Sequence, residues 1–243
     1  MSTTRWAAWS IAAACAGIIG ATAGCGSTHD TPGATPTSRH TVQPAHTAPA
    51  ETLVSKDQLR TALPGRNDIP GLPMTAHDMM LLTPDDLVTA TPATCQLVAD
   101  TMSYDTKYPR LAQVWATASG DTTAPAPDLI TLTSHTRHDA TAWVDDLTTT
   151  LGRCRHFSAS SATGWLKHFT VRPLPAPHAG DASAAYFLGD DEEPFRGTAI
   201  TIVRTGSILA FYQAVEDITH PQAVTDDLAT LVHHRIQRTL HMA

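Results

Sequence analysis

The chain has 243 residues, 42% of them hydrophobic and 16% charged, enough for one globular domain with a sizeable core. Its net charge is −7, its lysines are Lys56, Lys107 and Lys167, and no cluster of Lys and Arg offsets the acidic balance. Nucleic-acid binding, which draws on many phosphate-neutralising cations, is therefore not expected.

The first 25 residues speak to compartment. Arg5 is the only charge before His29, and Trp6 to Gly24 is a nearly continuous apolar run, as in a secretory signal. The run ends in Thr22-Ala23-Gly24-Cys25, which resembles a bacterial lipobox with Thr22 in the usual place of leucine. Cys25 is then the lipid-attachment site and the first residue of the mature chain, held at the outer face of the cell membrane. Losing Arg5 with the leader makes the mature chain one unit more acidic. The competing readings are an ordinary cleaved signal or an uncleaved anchor, since the run is about long enough to span a bilayer.

Residues 26–52 are Ser, Thr, Pro, Ala, Gly and His without apolar periodicity, a tether that cannot bury enough surface to fold. Its His29, His40 and His46 read as solvated side chains. The expected organisation is a signal peptide at 1–24, a lipid-anchored linker at 25–52 and a folded domain at 53–243. Cys15 leaves with the signal and Cys25 carries lipid. Cys95 and Cys154 remain as a pair in an oxidising compartment, so a disulfide is the default and two buried thiols the alternative.

Within the domain, Val54 to Leu63 reads as a short helical or extended segment, followed by a proline-punctuated connection. Thr83-Pro84-Asp85-Asp86-Leu87 reads as a helix start, and Thr94 to Met102 as a second short helix. Leu111–Ser119 and Asp128–Ser134 alternate as strands. Thr136 opens an amphipathic helix whose apolar face is Ala140, Trp143, Val144, Leu147 and Leu151, with Gly152 as its stop. Strands are expected at 155–159, 164–174, 183–188, 198–204 and 207–215, the last two joined by a short turn at Gly206. Pro221 opens a final helix with Val224, Leu228, Leu231, Val232 and Ile236 as its stripe. Hairpins in place of βαβ crossovers define an α+β fold: an antiparallel β-sheet with two to three helices packed on it.

No catalytic constellation stands out: G-x-S-x-G, H-E-x-x-H, a Walker loop and Cys-x-x-Cys are all missing, and no catalytic residue, metal site or cofactor is expected. Asp85/Asp86 and Asp226/Asp227 suit first helical turns and Asp145/Asp146 a solvated face. Gly189-Asp190-Asp191-Glu192-Glu193-Pro194 reads as a solvated loop, and His135/His138 and His233/His234 as cap and surface positions. Trp115, Trp143 and Trp165 read first as core. The sharper alternative is a ligand cleft lined by Trp143, Trp165, Phe211 and Tyr212, with Arg204 as an anion or partner contact.

From about Leu81 onward the order resembles the PknH-like extracellular sensor domains of actinobacterial kinases and their stand-alone lipoprotein relatives. The residues that carry this are Leu81-Leu82-Thr83, Pro92 with Cys95, Trp143 with Cys154, Gly180-Asp181 and Val203-Arg204-Thr205-Gly206. The resemblance implies an antiparallel sheet with packed helices and a cleft for an extracellular ligand. The family's second disulfide has no counterpart here. With no kinase after Ala243, signalling is expected to need a partner protein. The functional expectation is thus a lipid-anchored extracytoplasmic binding protein, sensor-like and non-enzymatic. It would hold a small-molecule, lipid or protein partner. The alternatives are a lipid or glycolipid carrier and an envelope hydrolase.

Overall fold

The computed structural model describes residues 53–69, 71–77, 87–103, 107–118, 126–193 and 195–242. The expected leader, Cys25 and tether lie outside these residues, as does most of the helix start expected at 83–87. In chain order the elements are α1 (Lys56–Ala62), β1 (Met74–His77), β2 (Val88–Thr91), a 3-10 turn (Ala93–Cys95), α2 (Gln96–Ser103), β3 (Ala112–Ala118) and β4 (Leu129–Ser134). Then come α3 (Arg137–Arg153), β5 (His156–Ser161), β6 (Leu166–Pro173), β7 (Ala182–Asp190), β8 (Arg196–Thr205), β9 (Ile208–Asp217) and α4 (Asp226–Met242). The nine strands form one antiparallel sheet in the order β1-β3-β4-β9-β8-β7-β6-β5-β2.

Four α-helices are described against the two to three expected, and they are divided between the two faces of the sheet. Helices α2 and α3 bury Trp143, Val144 and Leu147 against Phe169, Tyr186, Ile200 and Phe211. Helices α1 and α4 bury Leu59, Val232 and Ile236 against Val114, Ile130, Val203 and Tyr212 on the other face. Successive side chains of a strand point to opposite faces, so Ile202 and Val203 enter different cores. This explains the near-continuous apolar runs of β8 and β9: both of their sides are covered.

Local chemistry sets the ends of the helices. Ser55 and Gln58 form a reciprocal capping box on α1, which resolves the helix-or-extended ambiguity of that segment. Thr136 accepts from the Asp139 amide at the start of α3. Gly152 lies inside the last turn of α3 and does not stop it; the helix runs to Arg153, with Cys154 as its cap. The last helix begins five residues after Pro221, where Thr225 Oγ1 accepts from the Leu228 amide at 3.4 Å. Its buried stripe is Ala229, Val232, Ile236 and Thr239, with Leu228 packed alongside.

The sheet edge at β2 is closed by a side chain. The Gln96 amide accepts from Ala90 N and donates to Val88 O, both at 2.8 Å, filling the side of β2 that faces away from β5. At one pole of the sheet, Gly206 takes φ +61° in the turn between β8 and β9. The chain enters the domain at this same pole, where Ser134 Oγ donates to Val54 O at 2.9 Å and Ser134 stands across the ladder from Ile208.

His135 is 1% exposed beside this pole, between Thr133 Oγ1 and Pro109 O, each at 2.9 Å. Burial lowers its pKa to about 4. The folded state therefore rejects a proton that the unfolded chain accepts below its ordinary value near 6.5. The resulting stability is present above pH 6.5 and is lost as pH falls toward 4. Between pH 7 and pH 5 this group alone is expected to cost about 2 kcal/mol. Urea titrations of wild type and His135→Gln at both pH values check this: the variant should lose that much less over the interval.

Candidate functional site

Among the described residues the covered faces leave a large hollow. On the face that carries α2 and α3, the strands run beyond the helices toward the β7–β8 turn, and a cleft of about 660 Å³ opens there. That size lies within the range of small-molecule sites. Cross-strand register places its walls. Leu188 on β7 stands opposite Thr198 on β8, and Thr198 opposite Val215 on β9. One row deeper, Ile200 faces Gln213. Phe169 on β6 stands opposite Asp190 at the mouth, and Met102 closes the helix side from the last turn of α2. The floor is apolar: Phe169, Leu188 and Ile200 are each 5% exposed or less.

The mouth is polar. Lys167 donates to Asp190 across it, and this bond, followed by the charges of Asp190, Glu192 and Glu193, holds the lysine above its usual range. Glu193 and Arg196 flank the same opening from the β7–β8 turn. Trp165, half buried before β6, adds an aromatic wall. Three apolar side chains at this pole are strongly exposed: Leu166 at 57%, Phe195 at 76% and Val215 at 53%.

Of the five cleft residues named from the sequence, Trp165 lines this opening. Trp143 is 1% exposed within α3 and meets Phe211 edge-to-face at 5.2 Å, so both belong to the core beneath the helices. Tyr212 points through the sheet to the opposite face, where burial pushes its phenol pKa up and its hydroxyl has no partner among the described residues. Arg204 lies at the far end of β8, bonded to Asp181 at 3.1 Å and to Gly206 O at 3.3 Å. The cleft residues missed from the sequence include Met102, Thr198, Gln213 and Val215. For Thr198, Gln213 and Val215 the signal is register across neighbouring strands, which a single sequence does not display. Lys167 and Phe169 alternate with Trp165 in the sequence, and Asp190 and Glu193 stand in the acidic run.

The remaining candidates are structural in setting. Cys95 and Cys154 form a disulfide with Cα atoms 5.3 Å apart, joining the start of α2 to the end of α3. His233 Nδ1 bonds Thr205 Oγ1 at 2.8 Å. Asp146 binds Lys107 and Tyr108, and those two bonds lower its pKa. A smaller polar hollow of about 300 Å³ lies between α2 and α3 beside this group. Among the described residues no three His, Cys, Asp or Glu side chains group as metal ligands, and no helix is long and apolar enough to cross a membrane.

No family model and no curated protein matches the chain. Among solved structures it is similar to the extracellular domain of PknH from Mycobacterium tuberculosis. The TM-score is 0.44 with 12% sequence identity, over 70% of this chain and 86% of that one.

Proposed function

We infer that this chain is a lipid-anchored, extracytoplasmic binding lipoprotein, sensor-like and without catalytic activity, which holds a small ligand or a segment of a partner in the cleft beside α2. The observation that carries the reading is the cleft itself: about 660 Å³, an apolar floor on rigid strands, and a polar mouth. Anchoring rests on Thr22-Ala23-Gly24-Cys25 at the end of the apolar run, with two acyl signals on Cys25 sufficient for stable attachment. A second reading, a lipid or glycolipid carrier, is favoured by the same apolar floor. It differs in requiring delivery of the bound molecule to an acceptor membrane.

Native mass spectrometry of the chain, extracted gently from its own envelope, tests both parts. The expected mature mass begins at Cys25 with its lipid and carries an extra mass that organic solvent removes. Thr198→Trp, which drives an indole into the gap between Leu188 and Val215, should give the same lipidated chain without the adduct. A chain that starts elsewhere and lacks lipid refutes the anchor. An adduct that survives Thr198→Trp refutes the cleft. Transfer of the adduct to empty vesicles would favour the carrier.

A further inference from the structure

The charges at the cleft mouth do not balance one another. Lys167 and Asp190 are committed to each other. Arg196 lines the opening too, across the ladder from Asp217, whose carboxylate accepts from Thr219, so Arg196 offsets one of the acidic charges at the mouth. The Asp191 carboxylate turns aside and accepts from Thr170 Oγ1 at 3.1 Å. Glu192 and Glu193 are left over; both are exposed, and neither makes a salt bridge among the described residues. Glu193 lines the opening, and both glutamates lie close enough to act on the Lys167 ammonium inside it. The electrostatic surplus at the mouth is negative.

Beside that surplus lie an aromatic wall and an apolar depth. Trp165 borders the same mouth, and aromatic faces attract cations. Behind it, the Leu188–Thr198–Val215 row and then the Ile200–Gln213 row continue inward from the Phe169–Asp190 row. Rows two residues apart along a strand are about 6.6 Å apart, so the trough runs roughly 13 Å inward from the charged row. A bare ion would leave this surface empty, and an anionic head would meet Glu192 and Glu193 with Lys167 already bonded to Asp190 and Arg196 alone to oppose them.

We propose that the cleft takes a cationic amphiphile, its ammonium or guanidinium head between the 190–193 turn and Trp165 and its apolar chain along Leu188, Thr198 and Ile200. This rests on the cleft being the binding site. The complementarity is of opposite charge at a partly desolvated rim with apolar burial behind it, and it selects among ligands of equal chain length by head charge.

The test titrates the full chain, in detergent-free buffer, with decyltrimethylammonium, decyl maltoside and decanoate, each below its micelle-forming concentration, by calorimetry. The ammonium is expected to bind about tenfold more tightly than the maltoside, and decanoate more weakly than either. Glu192→Gln combined with Glu193→Gln should erase the ammonium's advantage over the maltoside. These two sites are exposed in a turn, so the fold is not at stake. Equal binding of the three heads, or decanoate ahead, overturns the cationic assignment while the maltoside still reports a working cleft. If none of the three binds, or if Thr198→Trp changes none of them, the cleft reading fails and this proposal with it.

Discussion

Replacing Cys95 and Cys154 together by alanine is expected to lower the unfolding free energy by about 4 kcal/mol, through the chain-entropy cost of opening a loop of this length. The bridge spans 59 residues, and both cysteines are 1% exposed. That is a large fraction of the total stability of an ordinary domain. The loss has a local consequence as well. The bridge ties the start of α2 to the end of α3, and α2 carries Met102 on the wall of the cleft. Binding of decyl maltoside should therefore weaken in the double variant even under conditions where most molecules remain folded. Chemical denaturation with and without the bridge checks the first effect and calorimetry the second. A change below about 1 kcal/mol would mean that packing of Cys95 and Cys154 in the core, and not closure of the loop, is what the pair contributes.

The second large effect separates two tryptophans that the sequence placed in one class. Trp143→Ala is expected to cost about 3–5 kcal/mol, the range for removing a buried aromatic side chain. Its indole nitrogen has no hydrogen-bond partner among the described residues, so the loss is one of packing against Phe211 and its neighbours. Trp165→Ala removes a half-buried ring from the mouth and should change stability by no more than about 1 kcal/mol, while weakening ligand binding about tenfold. Denaturation and calorimetry on the two variants should give opposite patterns. If Trp143→Ala leaves stability intact and abolishes binding, the ring belongs to the site and the placement of the core is mistaken.

Much of the architecture was legible because single elements carry their own signals. The face of α3 is the set of five residues read from spacing, and all five are buried. The β8–β9 turn announced itself through Gly206. Other features depended on partners distant in sequence. Strand β1 is four residues long and gains its place only by pairing with β3, so nothing in Met-Thr-Ala-His marks it. Strand β2 is as short, and follows a segment whose Thr-Pro-Asp-Asp pattern promised a helix. The division of helices between two faces is invisible in any one of them. It becomes readable only when Ile202 and Val203 are seen to enter separate cores. The site suffered most from this. Aromatic content drew attention to Trp143, Phe211 and Tyr212, yet alternation along β9 sends Phe211 to the core under α3 with Trp143, and Tyr212 to the opposite face. Thr198 and Gln213, unremarkable in sequence, gain their role from the strands beside them.

The entry of the chain beside Ser134 and Ile208 has a mechanical meaning. Strand β8 runs from that pole at Thr205 to the cleft mouth at Arg196, a distance of roughly 30 Å at the usual rise per residue. Residues before Val54 therefore join the domain at the end of β8 opposite the cleft. If the proposed anchor and cleft both hold, the domain is tethered at one end of its strands and open at the other.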